Sequence, residues 1–170
     1  MNKTYQAIVA APGFALGVQC DDDEITGIDF LEPRPELAAT TPLAAEAVRQ
    51  LEAYIADPSF TFGLPLRPAG TTFQRRVWEQ ISAIPTGRTD TYGQLAKYLN
   101  NAPRAVGQAC GANPYPLVVP CHRVVATCGT GDRKLGGFAR ERGGFLLDVK
   151  RWLLTHENKQ FGLDSARQSG

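Results

Sequence analysis

The sequence predicts an α+β fold in which a small N-terminal antiparallel sheet with one helix precedes a mostly helical region containing a helix-turn-helix. Three short apolar segments separated by turn residues come first, as is typical of an antiparallel meander: 4–10, 13–19 and 24–31. Farther along the chain, apolar residues recur with the 3.6-residue period of helices, behind helix-start signals. These two patterns, in this order, define the predicted fold class.

The first helix is predicted to begin at Thr41, whose hydroxyl can cap it, with Pro42 in the first helical position. Leu43, Leu51 and Ile55 then fall on one face of that helix.

Proline and glycine punctuate the stretch 57–69, which indicates a linker. We therefore expect an α+β domain at 1–66, a helical domain at 67–160 and a flexible tail at 161–170.

Two helix starts in the second half carry the same signal, a threonine followed three residues later by glutamine. Thr71 with Gln74 and Thr91 with Gln94 form predicted capping boxes, each ahead of periodic apolar residues. The turn 100–103 leads from the second of these helices into another short one. Two short helices around a tight turn are a candidate helix-turn-helix.

The helix after that turn, predicted over 104–112, consists largely of alanine and glycine. Such residues are poor for helix propensity but leave little bulk between the backbone and a neighbour. The small residues can serve close approach to a ligand or tight packing against another helix, and this segment alone does not decide between the two.

Charge is strongly segregated along the chain. Residues 1–66 carry three basic against ten acidic side chains, a net charge of −7, whereas residues 67–151 carry thirteen against five, a net charge of +8. A basic half of this kind is expected of a module that docks on phosphates, although a solvated basic face has the same composition.

Composition argues against several other classes of protein. The N-terminus has no apolar signal segment and no run of about 18 apolar residues occurs, so we expect a cytoplasmic protein without a membrane anchor. Four cysteines without a C-x-x-C pair, and only two histidines, predict free thiols and no metal site.

The apolar run 114–120 is expected to be extended, and it leads to Cys121 in the run Pro-Cys-His-Arg-Val-Val, 120–125. An ordinary cysteine is a buried apolar residue, but a neighbouring base or cation makes it a nucleophile, and His122 and Arg123 follow directly. In extended chain Cys121 and His122 point to opposite sides, so a direct bond between them is not implied. Glu157, near the expected end of the last helix, is either the carboxylate that orients an imidazole or an exposed charge.

Ordered motifs over about 70–157 resemble the O6-alkylguanine-DNA alkyltransferase family. They are Phe73, Thr91-Tyr92-Gly93-Gln94-Leu95-Ala96, Arg104-Ala105-Val106-Gly107, Asn113-Pro114-Tyr115-Pro116, the run 120–125, and Lys150-Arg151-Trp152-Leu153-Leu154-Thr155-His156-Glu157. The resemblance implies irreversible transfer of an alkyl group from O6-alkylguanine, and from O4-alkylthymine, in double-stranded DNA to Cys121. Each molecule, expected to be a monomer, acts once and needs no cofactor.

The same resemblance assigns the catalytic residues. It implies a water-bridged relay through Cys121, His122 and Glu157, with Asn113 holding the turn between the recognition helix and the active-site strand.

The resemblance also implies minor-groove binding and flipping of the damaged nucleotide, with Arg104 filling the vacated stack and Ala105 and Gly107 allowing close approach. Tyr92 would contact the flipped nucleotide, and Pro116 and the Val124 carbonyl would line the base pocket. The loop 127–144 is longer than is usual in the family, and Phe138 and Ala139 are its best match to the family's pocket residues.

Two other classes compete with this interpretation. A helix-turn-helix regulator explains the basic half without using Cys121, although such proteins normally read the major groove with a polar helix. A cysteine hydrolase would use Cys121 and His122 as an acyl-enzyme pair and would need an oxyanion hole.

Overall fold

The computed structural model describes residues 3–126 and 144–168, with only the course of the backbone given past residue 158. The chain divides into two compact units, one of residues 1–69 with 114–118 and the other of residues 70–113 with 119–170. Residues 114–118 join the first unit because Pro114 O accepts from Ile28 N at 3.0 Å and the Tyr115 hydroxyl donates to Arg67 O. The sequence placed this segment in the helical domain.

The first unit contains the predicted antiparallel meander. Strands β1 (Ala7–Ala11), β2 (Phe14–Cys20) and β3 (Ile25–Leu31) pair in that order. Helix α1 (Pro42–Ala56) begins where the sequence predicted, and Thr41 Oγ1 accepts from Ala44 N at 3.1 Å. The helix packs its buried face against β1 and β2.

The second unit is built mainly of four helices among the described residues: α2 (Thr72–Ser82), α3 (Tyr92–Leu99), α4 (Pro103–Gly111) and α5 (Phe145–Gln168). The capping box of α2 is present in both directions, and Thr91 caps α3 with its hydroxyl. The Trp78 indole N–H donates to Ala109 O at 2.9 Å and ties α2 to the end of α4. The α+β class is confirmed.

Helices α3 and α4 are joined by three residues, with Asn100 in the left-handed region at φ 54°. They pack against one another, and α2 packs against both. This arrangement is consistent with the predicted helix-turn-helix.

Three local features differ from the sequence-based expectations. Asp90–Thr91 (β4) and Val124–Val125 (β5) form a short parallel ladder inside a domain predicted to be mostly helical. The sequence did not predict this ladder because two-residue strands leave no periodic pattern. The expected extended run 114–120 is interrupted by a turn with Leu117 at φ 76°. Helix α5 continues to Gln168 instead of ending near His156, since no proline interrupts 157–168.

The flexibility expected of 161–170 stays a prediction. Residues 169–170 lie outside the described residues, and a backbone course does not measure mobility in the rest. Across the described part of the chain, no helix has the length and apolarity needed to cross a membrane.

Gly70 and Gly13 provide a matched test of the packing around Trp78. Both have positive φ, at 87° and 85°, but a Cβ at Gly70 would lie 2.6 Å from the Trp78 ring, whereas one at Gly13 meets nothing within 4 Å. We expect Gly13→Ala to lower the free energy of unfolding by about 1 kcal/mol, from backbone strain alone. Gly70→Ala should lower it by about 3 kcal/mol, because the clash with the Trp78 ring adds to the same strain. Equal losses in urea denaturation would contradict this account of Gly70.

Candidate active site

Cys121 is the first residue of a tight turn that leads into strand β5. Residues Cys121–Arg123 form a 3-10 turn, not extended chain, with Arg123 N donating to Pro120 O at 3.0 Å. Strand β5 follows directly and fixes the end of the turn against β4. Cys121 is 4% exposed.

The Asn113 side chain connects the end of α4 to this turn. Its amide nitrogen lies 2.9 Å from Val119 O and 3.3 Å from Cys121 Sγ. One side chain therefore holds the loop before the turn and donates to the sulfur, as expected of a residue that holds this turn in place.

The surroundings of Cys121 favour the protonated thiol. The interaction with the neighbouring Cys110 thiol, followed by burial, raises the pKa of Cys121 well above its usual value, and Asn113 and Lys150 oppose the shift only in part. A thiol of this kind needs a base before it can act as a nucleophile.

The family resemblance implies that His122 is that base. Its Nε2 lies 2.6 Å from Glu157 Oε2, and both side chains are buried. Burial lowers the pKa of His122 and outweighs the opposing effect of Glu157, so the imidazole is neutral near pH 7. If Nε2 carries the proton that Glu157 accepts, Nδ1 presents a lone pair, and Nδ1 has no hydrogen-bond partner among the described residues.

Arg123 holds the other side of the same carboxylate. Its Nε donates to Glu157 Oε1 at 2.8 Å and its Nη2 donates to Oε2 at 3.1 Å. This bidentate contact favours the ionised form of the Glu157 carboxyl group. The guanidinium also donates to Ile84 O at 2.7 Å and to Thr86 Oγ1 at 3.1 Å. The sequence placed Arg123 beside the nucleophile but did not reveal this anchoring role.

Lys150 is a second buried cation that the sequence argument assigned no role. It is 0% exposed, donates from Nζ to Val124 O at 2.7 Å, and lies 5.7 Å from the centre of the Tyr92 ring. Burial lowers its pKa to about 8, against the opposing charges of Cys110 and Cys121. In the sequence, the burial of Lys150 could have been inferred from its spacing, three residues from both Leu147 and Leu153 on the buried face of α5.

Several residues expected to contact DNA lie on α4. Arg104 is exposed, Ala105 and Gly107 are half-buried, and a Cβ at Gly107 would meet nothing within 4 Å. Val106 and Ala109 face the interior instead. The absence of bulk at Gly107 is therefore not required by packing among the described residues.

The other predicted pocket residues are only partly described. Val124 is buried with its carbonyl bonded to Lys150, and Pro116 is half-buried in the first unit. Phe138 and Ala139 lie outside the described residues. Within 3–126 and 144–158, no three His, Cys, Asp or Glu side chains come together as metal ligands do.

Comparison with known proteins identifies the family. The model of the 6-O-methylguanine DNA methyltransferase DNA-binding domain matches residues 72–159, which is more than half of the chain and includes every residue of the Cys121 site described above. The chain belongs to this family. The resemblance carried by the ordered motifs is thereby confirmed.

Relatives in the family match far beyond that domain. A methylated-DNA–protein-cysteine methyltransferase of Methanosarcina acetivorans is 37% identical over 90% of this chain and 97% of its own length. That of Haemophilus influenzae is 35% identical over 92% and 88%. The crystal structure of Mycobacterium tuberculosis OGT in complex with DNA superposes with a TM-score of 0.73 at 33% identity, covering 89% of this chain and 91% of its own.

Replacing Arg123 by lysine tests its hold on Glu157. Lysine keeps the positive charge but cannot make the bidentate contact with Glu157, so we expect alkyl transfer to slow by roughly tenfold or more. Arg151→Lys is the matched control, because Arg151 forms an exposed ion pair with Asp148 at 2.7 Å and should change little. The rate of transfer from O6-benzylguanine is the measurement, and an unchanged rate in Arg123→Lys would refute the positioning role.

Proposed function

We propose that this protein repairs alkylated guanine in duplex DNA by transferring the alkyl group from O6 to Cys121 Sγ, once per molecule. The observation that carries the proposal is the buried cluster around Cys121, in which Asn113 donates to the sulfur at 3.3 Å and His122 Nε2 lies 2.6 Å from Glu157 Oε2. The names of the curated relatives describe the same reaction.

The proton on Cys121 leaves toward His122. Nδ1 is the buried nitrogen that can take it up, through the bridging water implied by the family resemblance, and Glu157 stabilises the imidazolium that results. Lys150, which is largely protonated below its pKa of about 8, stabilises the thiolate as it forms.

The thiolate then attacks the alkyl carbon, forming the S–C bond as the C–O6 bond breaks. The electron pair of that bond departs with guanine, which takes up a proton. Burial raises the pKa of Tyr92, so its hydroxyl keeps its proton near neutral pH and can donate to the departing base. A thioether has no easy route to hydrolysis, so Cys121 is not regenerated.

Helix α4 is the proposed DNA-facing element. The open space at Gly107 lets a nucleic-acid backbone approach closely, and exposed Arg104 can enter the stack that a flipped nucleotide leaves. A solved relative is a complex with DNA, which supports DNA as the partner. A carbonyl can accept two hydrogen bonds, so Val124 O can accept one from the flipped guanine in addition to the one from Lys150 Nζ.

We place this activity in a cytoplasmic monomer. Every side chain invoked in the transfer step comes from one chain, and Cys121 must remain a free thiol, as it does in a reducing compartment.

The direct test uses duplex DNA that carries O6-methylguanine. Trypsin releases residues 105–123 as one peptide, so mass spectrometry of that peptide after incubation reports methylation of Cys121. We expect a stoichiometric gain of one methyl group, absent in Cys121→Ala and retained in the control Cys20→Ala, whose cysteine lies on β2. An unmodified peptide beside DNA that stays damaged would refute the function.

Arg104→Ala should separate nucleotide flipping from chemistry. Extrusion costs a few kcal/mol, so losing the stack-filling side chain should slow repair of duplex DNA by about tenfold or more. Transfer from free O6-benzylguanine, which needs no flipping, should change little. Arg34→Ala, in the acidic N-terminal region, is the control. Equal losses on the two substrates in Arg104→Ala would contradict the stack-filling role.

A further inference from the structure

The segment between α2 and β4, residues 83–89, contacts the buried ion pairs of the site through Arg123. Its Ile84 O accepts from Arg123 Nη1 at 2.7 Å, and its Thr86 Oγ1 accepts from Arg123 Nη2 at 3.1 Å. The Arg123 side chain is 11% exposed, so water competes little for these contacts. Thr86 is therefore a side-chain partner of the site that the transfer step described above does not use.

The backbone around Thr86 is itself fixed. Arg88 N donates to Pro85 O at 3.1 Å and closes a turn, in which Gly87 supplies the positive φ of 84°. The segment then runs into β4, which pairs with β5 directly after Arg123. Thr86 and Arg123 are thus held on neighbouring stretches of backbone within the second unit.

The contact of Thr86 is connected to His122 through two intermediate groups. A guanidinium is planar, so its donors move together. Arg123 Nη2 donates both to Thr86 Oγ1 and to Glu157 Oε2, each at 3.1 Å. Glu157 Oε2 also lies 2.6 Å from His122 Nε2. A tilt of the guanidinium therefore changes how Oε2 is shared between Arg123 and His122.

Without the hydroxyl, one proton of Arg123 Nη2 loses its acceptor. A largely buried donor of this kind recovers a partner only by turning toward solvent or more fully toward Glu157 Oε2. Either motion alters the bidentate contact between Arg123 and Glu157. The Thr86 hydroxyl therefore opposes both motions.

We propose that Thr86 is a positioning residue for alkyl transfer, because its hydroxyl holds the Arg123 guanidinium in the plane that orients Glu157 and, through Glu157, His122. The expected effect of Thr86 on the rate rests on the proposed function. Its expected effect on His122 rests on the geometry alone and can be measured without a substrate.

Kinetics of two Thr86 variants test the proposal. Thr86→Val removes the hydroxyl but keeps the shape of the side chain, whereas Thr86→Ser keeps the hydroxyl. With O6-benzylguanine at saturation, we expect the first-order rate constant to fall by about tenfold in Thr86→Val and to stay within about twofold of the wild type in Thr86→Ser. Thr89→Val is the matched control, because Thr89 is exposed in the same segment.

Two further quantities separate positioning from misfolding. The half-saturating concentration of O6-benzylguanine should not change in Thr86→Val, because Thr86 contacts Arg123 and acts through it. The number of benzyl groups accepted per molecule should also stay the same, whereas a partly unfolded variant would accept fewer. A loss in that number with an unchanged rate constant would overturn the proposal.

A double variant tests whether Thr86 acts through Arg123. In Arg123→Lys the bidentate contact is already lost, so adding Thr86→Val should slow transfer by less than about twofold. A further loss of about tenfold in the double variant would overturn the proposal. A wild-type rate in Thr86→Val, or a rate in Thr86→Ser as low as that of Thr86→Val, would overturn it as well.

Titration of His122, followed by nitrogen-15 NMR, reports the same connection without a substrate. Burial lowers the pKa of His122, Glu157 opposes that shift, and the charge of Arg123 adds to it. A guanidinium held less firmly lowers the pKa less, so Thr86→Val should raise the pKa of His122, and Thr86→Ser and Thr89→Val should not. An unchanged His122 titration in Thr86→Val would overturn the proposal.

The two proposals fail in different ways. If the wild-type protein accepts no alkyl group from O6-benzylguanine or from O6-methylguanine in DNA, the proposed function fails. A shifted His122 titration in Thr86→Val would then still support the positioning of His122 by Thr86.

Discussion

The rest of the site depends on the contacts of the buried Glu157 carboxylate with His122 and Arg123. The carboxylate accepts from His122 on one side and from the Arg123 guanidinium on the other, and none of the three is more than slightly exposed. Removing one partner of such a group typically costs about 3–5 kcal/mol, because a charge is left buried and unpaired. Since Arg123 also binds Ile84 O and Thr86, the carboxylate joins α5, the Cys121 turn and the segment after α2.

That arrangement sets the state of the nucleophile before substrate arrives. Glu157 Oε2 lies 2.6 Å from His122 Nε2, so a proton on Nε2 leaves Nδ1 as the basic nitrogen, and burial lowers the pKa of His122. The same burial, together with Cys110, keeps Cys121 protonated. A buried thiol that stays protonated until a base removes its proton is poorly reactive toward most solutes, which suits an acceptor that acts only once.

Local signals in the sequence were sufficient for strands β1 to β3 and for the helix starts, and they made Cys121 the candidate nucleophile. Thr41, Thr71 and Thr91 cap the helices they were expected to cap, because a cap depends only on the next three residues. The contacts of Arg123 could not be read in this way, since its partners lie 34 to 39 residues away in the chain. The β4–β5 ladder likewise depends on tertiary packing.

The proposed chemistry depends on a neutral His122 whose Nε2 proton is held by ionised Glu157. Nitrogen-15 NMR of the labelled protein measures this directly, because the two ring nitrogens differ in chemical shift with tautomer and charge. The account predicts a protonated Nε2 and an unprotonated Nδ1 at pH 7, with protonation of Nδ1 only below the usual histidine pKa of about 6.5. An imidazolium at pH 7, or a proton on Nδ1 in the neutral ring, would contradict it.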